Sequence, residues 1–327
     1  MSRVFSGIQP TGTIHIGNYI GAIRNWVAIQ HQYPSLFCLV NYHAMTVRYD
    51  PKEMPGRILK AAITNLACGL DPKVCRLFVQ SDVSAHTELS WILTTVTPYG
   101  DLTRMTQFKD KSFQNADNIN AGLFCYPVLM AADILVYQAT HVPVGDDQLQ
   151  HLELTREVAR RFNSAFDTDY FPEPKALLTE TPRILGLDGK YKMSKSLNNY
   201  ISLEETPESL WEKLRGAKTD EKRIKRNDPG DPEQCNLFTL HKNFSKAEEV
   251  EQINRECRSA GIGCVDCKKI LNKNLLSFLS PIQEKMHHYE THPDEVRDIL
   301  CEGAKEANKI AGKVLDEVKT ITGQKVF

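Results

Sequence analysis

Apolar residues along the chain follow two different rhythms. Short apolar stretches occur at residues 3–7, 35–40 and 75–80; the continuous run at 35–40 is the pattern of a strand covered on both faces in a parallel sheet, and 75–80 repeats it. Between them the apolar positions return every three or four residues, which lays a single stripe along a helix. Ile16, Tyr19, Ile20, Ile23 and Val27 predict a helix from about residue 16 to 30. Ile58, Leu59, Ala62, Ile63 and Leu66 predict another, opened by Asp50 and Pro51 and stopped by Gly69. Strand and helix alternating through short connections imply a doubly wound, parallel-sheet α/β domain of Rossmann-like type, whose ligands sit at the carboxyl ends of the strands.

Past Gly100 the pattern turns more helical, with helices expected over 101–108 and 123–137 and a polar loop through Lys109, Asp110 and Lys111 between them. A strand returns at 141–144, Leu149, Leu152, Val158 and Ala159 mark a further helix, and 176–178 reads as a last short strand. From Thr206 onward helical spacing dominates (Leu210, Trp211, Leu214), so a smaller all-helical domain should follow the α/β domain. The expected division is a catalytic domain over 1–190, a helical domain over 191–293 and a terminal helix over 294–327.

Composition narrows the partners. The 327 residues carry 40 basic and 41 acidic side chains, net charge -1, so a nucleic acid would have to be met by local patches. The run Lys218, Lys222, Arg223, Lys225 and Arg226 is the candidate for such a patch, or a solvated helix face. Residues 1–12 lack a secretory pattern and no apolar run reaches membrane-spanning length, which makes a cytoplasmic location and no membrane partner the default expectation. Nine cysteines without an export signal read as reduced thiols or metal ligands.

Two stretches carry chemistry suited to polyphosphate. Lys192, Met193, Ser194, Lys195 and Ser196 gather ammonium groups and hydroxyls on a loop rich in small residues. Near the other end, His15, Ile16, Gly17 and Asn18 open the first helix, where backbone amides and the helix dipole favour anions and Gly17 clears space for a nucleotide. By itself His15 could equally be a capping or core histidine. Together the two stretches suggest a clamp on one nucleotide.

These two strings resemble the paired signatures of the class I aminoacyl-tRNA synthetases. The flanking Gly7-Ile8-Gln9-Pro10-Thr11-Gly12 and Gly145-Asp146-Asp147-Gln148 are similar to the bacterial-type tryptophanyl subfamily, with Asn18 in place of a second histidine and Asp146 in place of the usual glutamate. The resemblance implies ATP-dependent activation of tryptophan as an adenylate, followed by transfer to tRNA(Trp) with release of AMP and pyrophosphate. It implies Lys192, Lys195, Lys111, His15 and Asn18 as catalytic groups around ATP and Mg²⁺. Gln9, Pro10, Thr11, Gly17, Gly145, Asp146, Asp147, Ile184, Met193, Ser194 and Ser196 would complete the nucleotide site. Asp147 could also be an ordinary helix cap. A homodimer is implied too. The alternatives are the sister tyrosyl enzyme, or a nucleotidyltransferase or RNA-binding relative that does not aminoacylate.

The same resemblance places the indole N–H of tryptophan on Asp133, which interrupts an apolar helix, with Phe5, Met130, Val142 and Val144 around the ring. Read from residues alone, Asp133 could turn outward or pair with a base. His43, Gln107, Tyr126 and Gln148 would hold the amino and carboxylate groups, or be ordinary polar residues at element ends. Finally, Cys235, Cys257, Cys264 and Cys267 follow a C-x21-C-x6-C-x2-C spacing. Four thiolates suit a tetrahedral zinc or a [4Fe-4S] cluster, and the resemblance favours the cluster; inert buried cysteines are the alternative.

Overall fold

The computed structural model describes residues 2–10, 12–106, 119–145, 148–178 and 184–326. Five parallel strands form one sheet: β1 (Val4–Ile8), β2 (Ser35–Leu39), β3 (Arg76–Val79), β4 (His141–Val144) and β5 (Lys175–Leu178), in the order β3-β2-β1-β4-β5. Val4 pairs with Ser35 on one side and His141 on the other, so the order reverses between β1 and β4, the place where doubly wound sheets open a ligand crevice. β2 is buried at every position, as its unbroken apolar run requires.

The helices, in chain order, are α1 (Ile16–Asn18), α2 (Arg24–Ile29), α3 (Asn41–Ala44), α4 (Met54–Ala67), α5 (Ala85–Val96), α6 (Tyr99–Thr103), α7 (Ala121–Leu135), α8 (Leu149–Ala165), α9 (Pro207–Gly216), α10 (Asn236–Phe244), α11 (Ala247–Arg258), α12 (Cys264–Thr291) and α13 (Pro293–Ile321). The single helix expected over 16–30 is three pieces, because a π-helical turn over Tyr19–Ile23 separates α1 from α2. No helix among the described residues is long and apolar enough to cross a membrane.

Two compact units result. One comprises Met1–Gly12, Ala22–Glu180 and Tyr289–Phe327, the other Thr13–Gly21 and Thr181–His288. The first holds the sheet and its core, built on Phe5, Leu36, Phe78, Leu89, Val128, Tyr137 and Val142 among others. α13 packs on β3 so closely that a Cβ on Gly303 would stand 2.0 Å from the Leu77 carbonyl oxygen. The second unit is helical. It contains α1 and α9 to α11 with most of α12, around buried Leu210, Leu214, Leu271, Leu275 and Leu279. The segment bearing His15 to Asn18 therefore belongs with the residues around the lysine loop, and its boundary falls inside the π-helical turn.

Candidate functional site

In the second unit, residues 14–16 pair with residues 201–203. The Ile16 N–H donates to the Ile201 carbonyl at 3.0 Å, His15 and Ser202 form an antiparallel bridge, and the Leu203 N–H reaches the Ile14 carbonyl at 3.3 Å. This pairing brings the start of α1 beside the lysine loop: a Cβ added to Gly17 would stand 3.4 Å from Met193 Cβ and 3.0 Å from the His15 ring. His15 is the N-cap. Its Nδ1 accepts from the Asn18 N–H at 3.3 Å while Asn18 Oδ1 accepts from the His15 N–H at 3.1 Å, a reciprocal capping box. Burial first, and the nearby charge of Lys192 second, bring the imidazole down to about 4. With Nδ1 committed as an acceptor, the neutral ring carries its proton on Nε2, leaving one N–H donor for an anion. The capping role and the anion-binding role are thus compatible in one residue.

The lysine loop has an ordered backbone under exposed side chains. Met193 is buried, its N–H donating to Ile184, itself buried, at 3.1 Å; the Gly186 N–H donates to Tyr191 at 2.7 Å. Asn199, which sequence reasoning passed over, organises the turn. Its Oδ1 accepts the Ser194 N–H at 2.8 Å, its Nδ2 donates to Asp188 at 2.6 Å, and its carbonyl accepts the Leu187 N–H at 2.8 Å. Gly186 is bare because Asn199 fills its space: a Cβ there would lie 2.1 Å from Asn199 Nδ2. Ser194 and Ser196 hydroxyls lie 2.8 Å apart. Lys192 and Lys195 are exposed, and neither ammonium has a hydrogen bond or ion pair among the described residues.

In the first unit, Asp133 is buried and fully engaged. Oδ2 accepts from His43 Nε2 at 2.7 Å; Oδ1 accepts from His86 Nδ1 at 2.6 Å and Gln80 Nε2 at 2.8 Å. Burial alone would raise this carboxyl, but the charge and hydrogen bonds of His43 and His86 outweigh it and bring it down to about 2. Phe5 stacks on Tyr137 at 5.4 Å, and Val142 and Val144 belong to the same core with Met130 packed against it. Tyr126 lies edge-on to His43 at 6.2 Å, and its hydroxyl is 2.9 Å from Nε2 of buried His151. His86, Gln80 and His151 had no signal in the sequence. Gln9 is half-buried and Pro10 buried just past β1, and half-buried Gly145 and Gln148 follow β4, the neighbouring strand. Thr11, Gln107, Lys111, Asp146 and Asp147 lie outside the described residues.

Cys235, Cys257, Cys264 and Cys267 gather in the second unit. Burial first, then the charges of the other three, push the Cys267 thiol up to about 12, and burial raises Cys257 too, against the opposing charge of Arg223. Gly230 gives them room, since a Cβ there would lie 2.7 Å from Cys257 Sγ, and Arg223 Nη1 approaches that sulfur at 3.7 Å. Such a donor set, mutually repelling when ionised, fits a cationic metal centre. Among the described residues no three His, Cys, Asp or Glu close to the distances of a single ion. A cavity of about 400 Å³ lies alongside, lined by Lys190, Lys218, Lys222, Glu233, Cys235 and Asn236 among others. Arg223 is turned to internal work as well, donating to the carbonyls of Arg226 and Ile262 at 2.8 and 2.7 Å.

A parallel α/β unit joined to a helical one, with a histidine-capped helix start beside a lysine loop, is the layout of an adenylate-forming enzyme. The profile described as tRNA synthetases class I (W and Y) matches residues 1–280, and the chain belongs to that family. Membership implies ATP with Mg²⁺ as cosubstrate. The chain is 52% identical to the tryptophan–tRNA ligase of Deinococcus radiodurans over 328 residues, covering 99% of each chain. It is 45% identical to that of Wolinella succinogenes over 326 residues, 98% of each. Among solved structures it resembles the tryptophanyl-tRNA synthetase of Campylobacter jejuni complexed with ADP and tryptophan, at 36% identity, 98% and 99% coverage and a TM-score of 0.88.

Proposed function

We propose that the chain is a tryptophan–tRNA ligase of the cytoplasm. The tryptophan carboxylate attacks the α-phosphorus of ATP, pyrophosphate leaves, and the acyl group of the adenylate passes to the terminus of tRNA(Trp), releasing AMP. The observation that carries this reading is the meeting of His15 with the Lys192–Lys195 loop within one unit, supported by the full-length likeness to tryptophan–tRNA ligases. No nucleophilic side chain is needed. Charge builds on phosphate oxygens as the bond to pyrophosphate breaks, and Lys192 and Lys195 meet it with Mg²⁺ carried by the nucleotide, while the His15 Nε2–H donates nearer the adenosine. Lys111 would add a further cation, Asn18 a donor, and Asp147 an acceptor for the ribose. In the amino-acid pocket, Asp133 accepts the indole N–H between Phe5, Met130, Val142 and Val144, with His43, Gln107, Tyr126 and Gln148 around the amino and carboxylate groups.

Within this reading residues 1–190 catalyse, 191–293 face the anticodon and 294–327 close back on the catalytic part. The basic run Lys218, Lys222, Arg223, Lys225 and Arg226 would supply an RNA contact in the helical part. The four cysteines would hold a [4Fe-4S] cluster whose part is to fix α10 to α12. A second copy of the chain would cover Trp91 and Tyr99, which are 71% and 74% exposed. ATP–pyrophosphate exchange with tryptophan and tyrosine side by side tests the activity. Stimulation by tyrosine alone means the sister enzyme, and by neither, a relative without aminoacylation. Iron, sulfide and zinc analysis after anaerobic purification tests the cluster, and a metal-free active protein refutes it.

A further inference from the structure

The partners of Asp133 are not equivalent. Its Oδ1 takes both Gln80 and His86, whereas among the described residues Oδ2 takes only His43. Gln80 is tied at its other end, Oε1 accepting the Tyr42 N–H at 3.0 Å, so its amide cannot turn over without losing both bonds. His86 is tied as well, with Nε2 2.8 Å from the Tyr137 hydroxyl and its ring 5.4 Å from the Tyr137 ring. Gln80 and His86 are wholly buried at 0% exposure, and His43 is 6% exposed. The double grip therefore comes from the closed side of the carboxylate.

We infer that Gln80 and His86 are positioning residues for amino-acid selection, holding Oδ1 so that Asp133 presents Oδ2 as a fixed acceptor to the ring N–H of the substrate. This rests on the tryptophan reading of the pocket. An oxygen already accepting two anchored donors can neither rotate away nor take a proton without expelling one of them. The other oxygen then meets a ring N–H at little reorganisation, while a ring without that donor leaves a buried lone pair unmatched. The titratable groups facing the carboxylate are His43, His86, Tyr137 and Cys38, with Asp82 beyond Cys38.

The test compares tryptophan with its benzothiophene analogue, in which sulfur replaces the ring N–H, in ATP–pyrophosphate exchange by the full-length protein. Replacing His86→Leu or Gln80→Met should raise KM for tryptophan about tenfold, lower the tryptophan-to-analogue preference by the same factor and leave KM for ATP within about twofold. KM for tryptophan in His86→Leu should also rise as pH falls from 7 to 5, because Asp133 can then take a proton, and His86→Gln should restore most of the preference. If both variants keep the wild-type preference, or raise KM for both amino acids equally, the positioning role is overturned while the tryptophan assignment stands. If the unaltered protein gives no tryptophan-dependent exchange, the assignment fails and takes this inference with it. Should His86→Leu not fold, Gln80→Met decides: a lowered preference supports the role and an unchanged one refutes it.

Discussion

The two places where chemistry gathers in this molecule hold their polar groups in opposite ways. Around Asp133, in the sheet unit, every oxygen of the carboxylate is engaged and the side chains are buried to the last few per cent. Around Lys192 and Lys195, in the helical unit, order stops at the backbone: Asn199 and Asp188 fix the turn while both ammonium groups stand exposed. The tasks proposed for them differ in the same sense. A neutral ring with one N–H is chosen only where water cannot satisfy that donor equally well, so its acceptor must be dry and set in advance. A triphosphate whose charge moves during reaction is better met by mobile point charges on an ordered base, which can tighten as charge develops.

Removing one mobile cation should give the largest effect. Lys195→Ala is expected to cost about 2–4 kcal/mol of transition-state stabilisation, lowering kcat for pyrophosphate exchange by about 30-fold to 10³-fold with KM for tryptophan nearly unchanged. A comparable rise in that KM would dissolve the contrast between the two sites. Disturbing the base and not the cations should cost less. Gly186→Ala would drive a methyl group into Asn199, releasing Ser194 and Asp188 for about 2–3 kcal/mol. Exchange should fall roughly tenfold or more while tryptophan binding, followed by fluorescence or calorimetry, persists. An unchanged kcat would mean that the loop needs no pre-set backbone.

Much of this was legible in the chain, and what was not is instructive. Strands β1 to β4 and the helical second unit follow from apolar period alone, and the class of enzyme from two strings at the ends of one unit. Helix α5 was not anticipated. Its buried stripe sets Ala85, Leu89 and Leu93 four residues apart, with His86 buried beside them. That histidine is the one that grips Asp133, 47 positions away in sequence. Gln80 is 53 positions from Asp133, and no local pattern reports such a partner. Asn199 lay just past the lysine string, and the bareness of Gly186 reflects Asn199 beside it. Arg223 stood in a run that looked solvated or RNA-facing, yet it spends its donors on two carbonyls of its own unit.

Acid should separate the units in order, with the smallest of these effects. Burial and Lys192 lower His15 from its ordinary 6.5 to about 4, so between those values the unfolded chain binds a proton that the folded chain refuses. Stability from this group is therefore whole above about pH 6.5 and is lost as pH falls toward 4. Asp133 is lowered from 3.8 to about 2, so its contribution is intact until pH drops below about 4 and disappears only near 2. On acidification from pH 7 to 4.5, amide exchange in α1 and the segment around 201–203 should quicken while β1, β2 and α7 stay protected. His15→Gln should flatten that difference. Loss of protection around Asp133 first, or in both units together, would mean that the exposed site is no softer than the buried one and that the contrast drawn between them does not govern their stability.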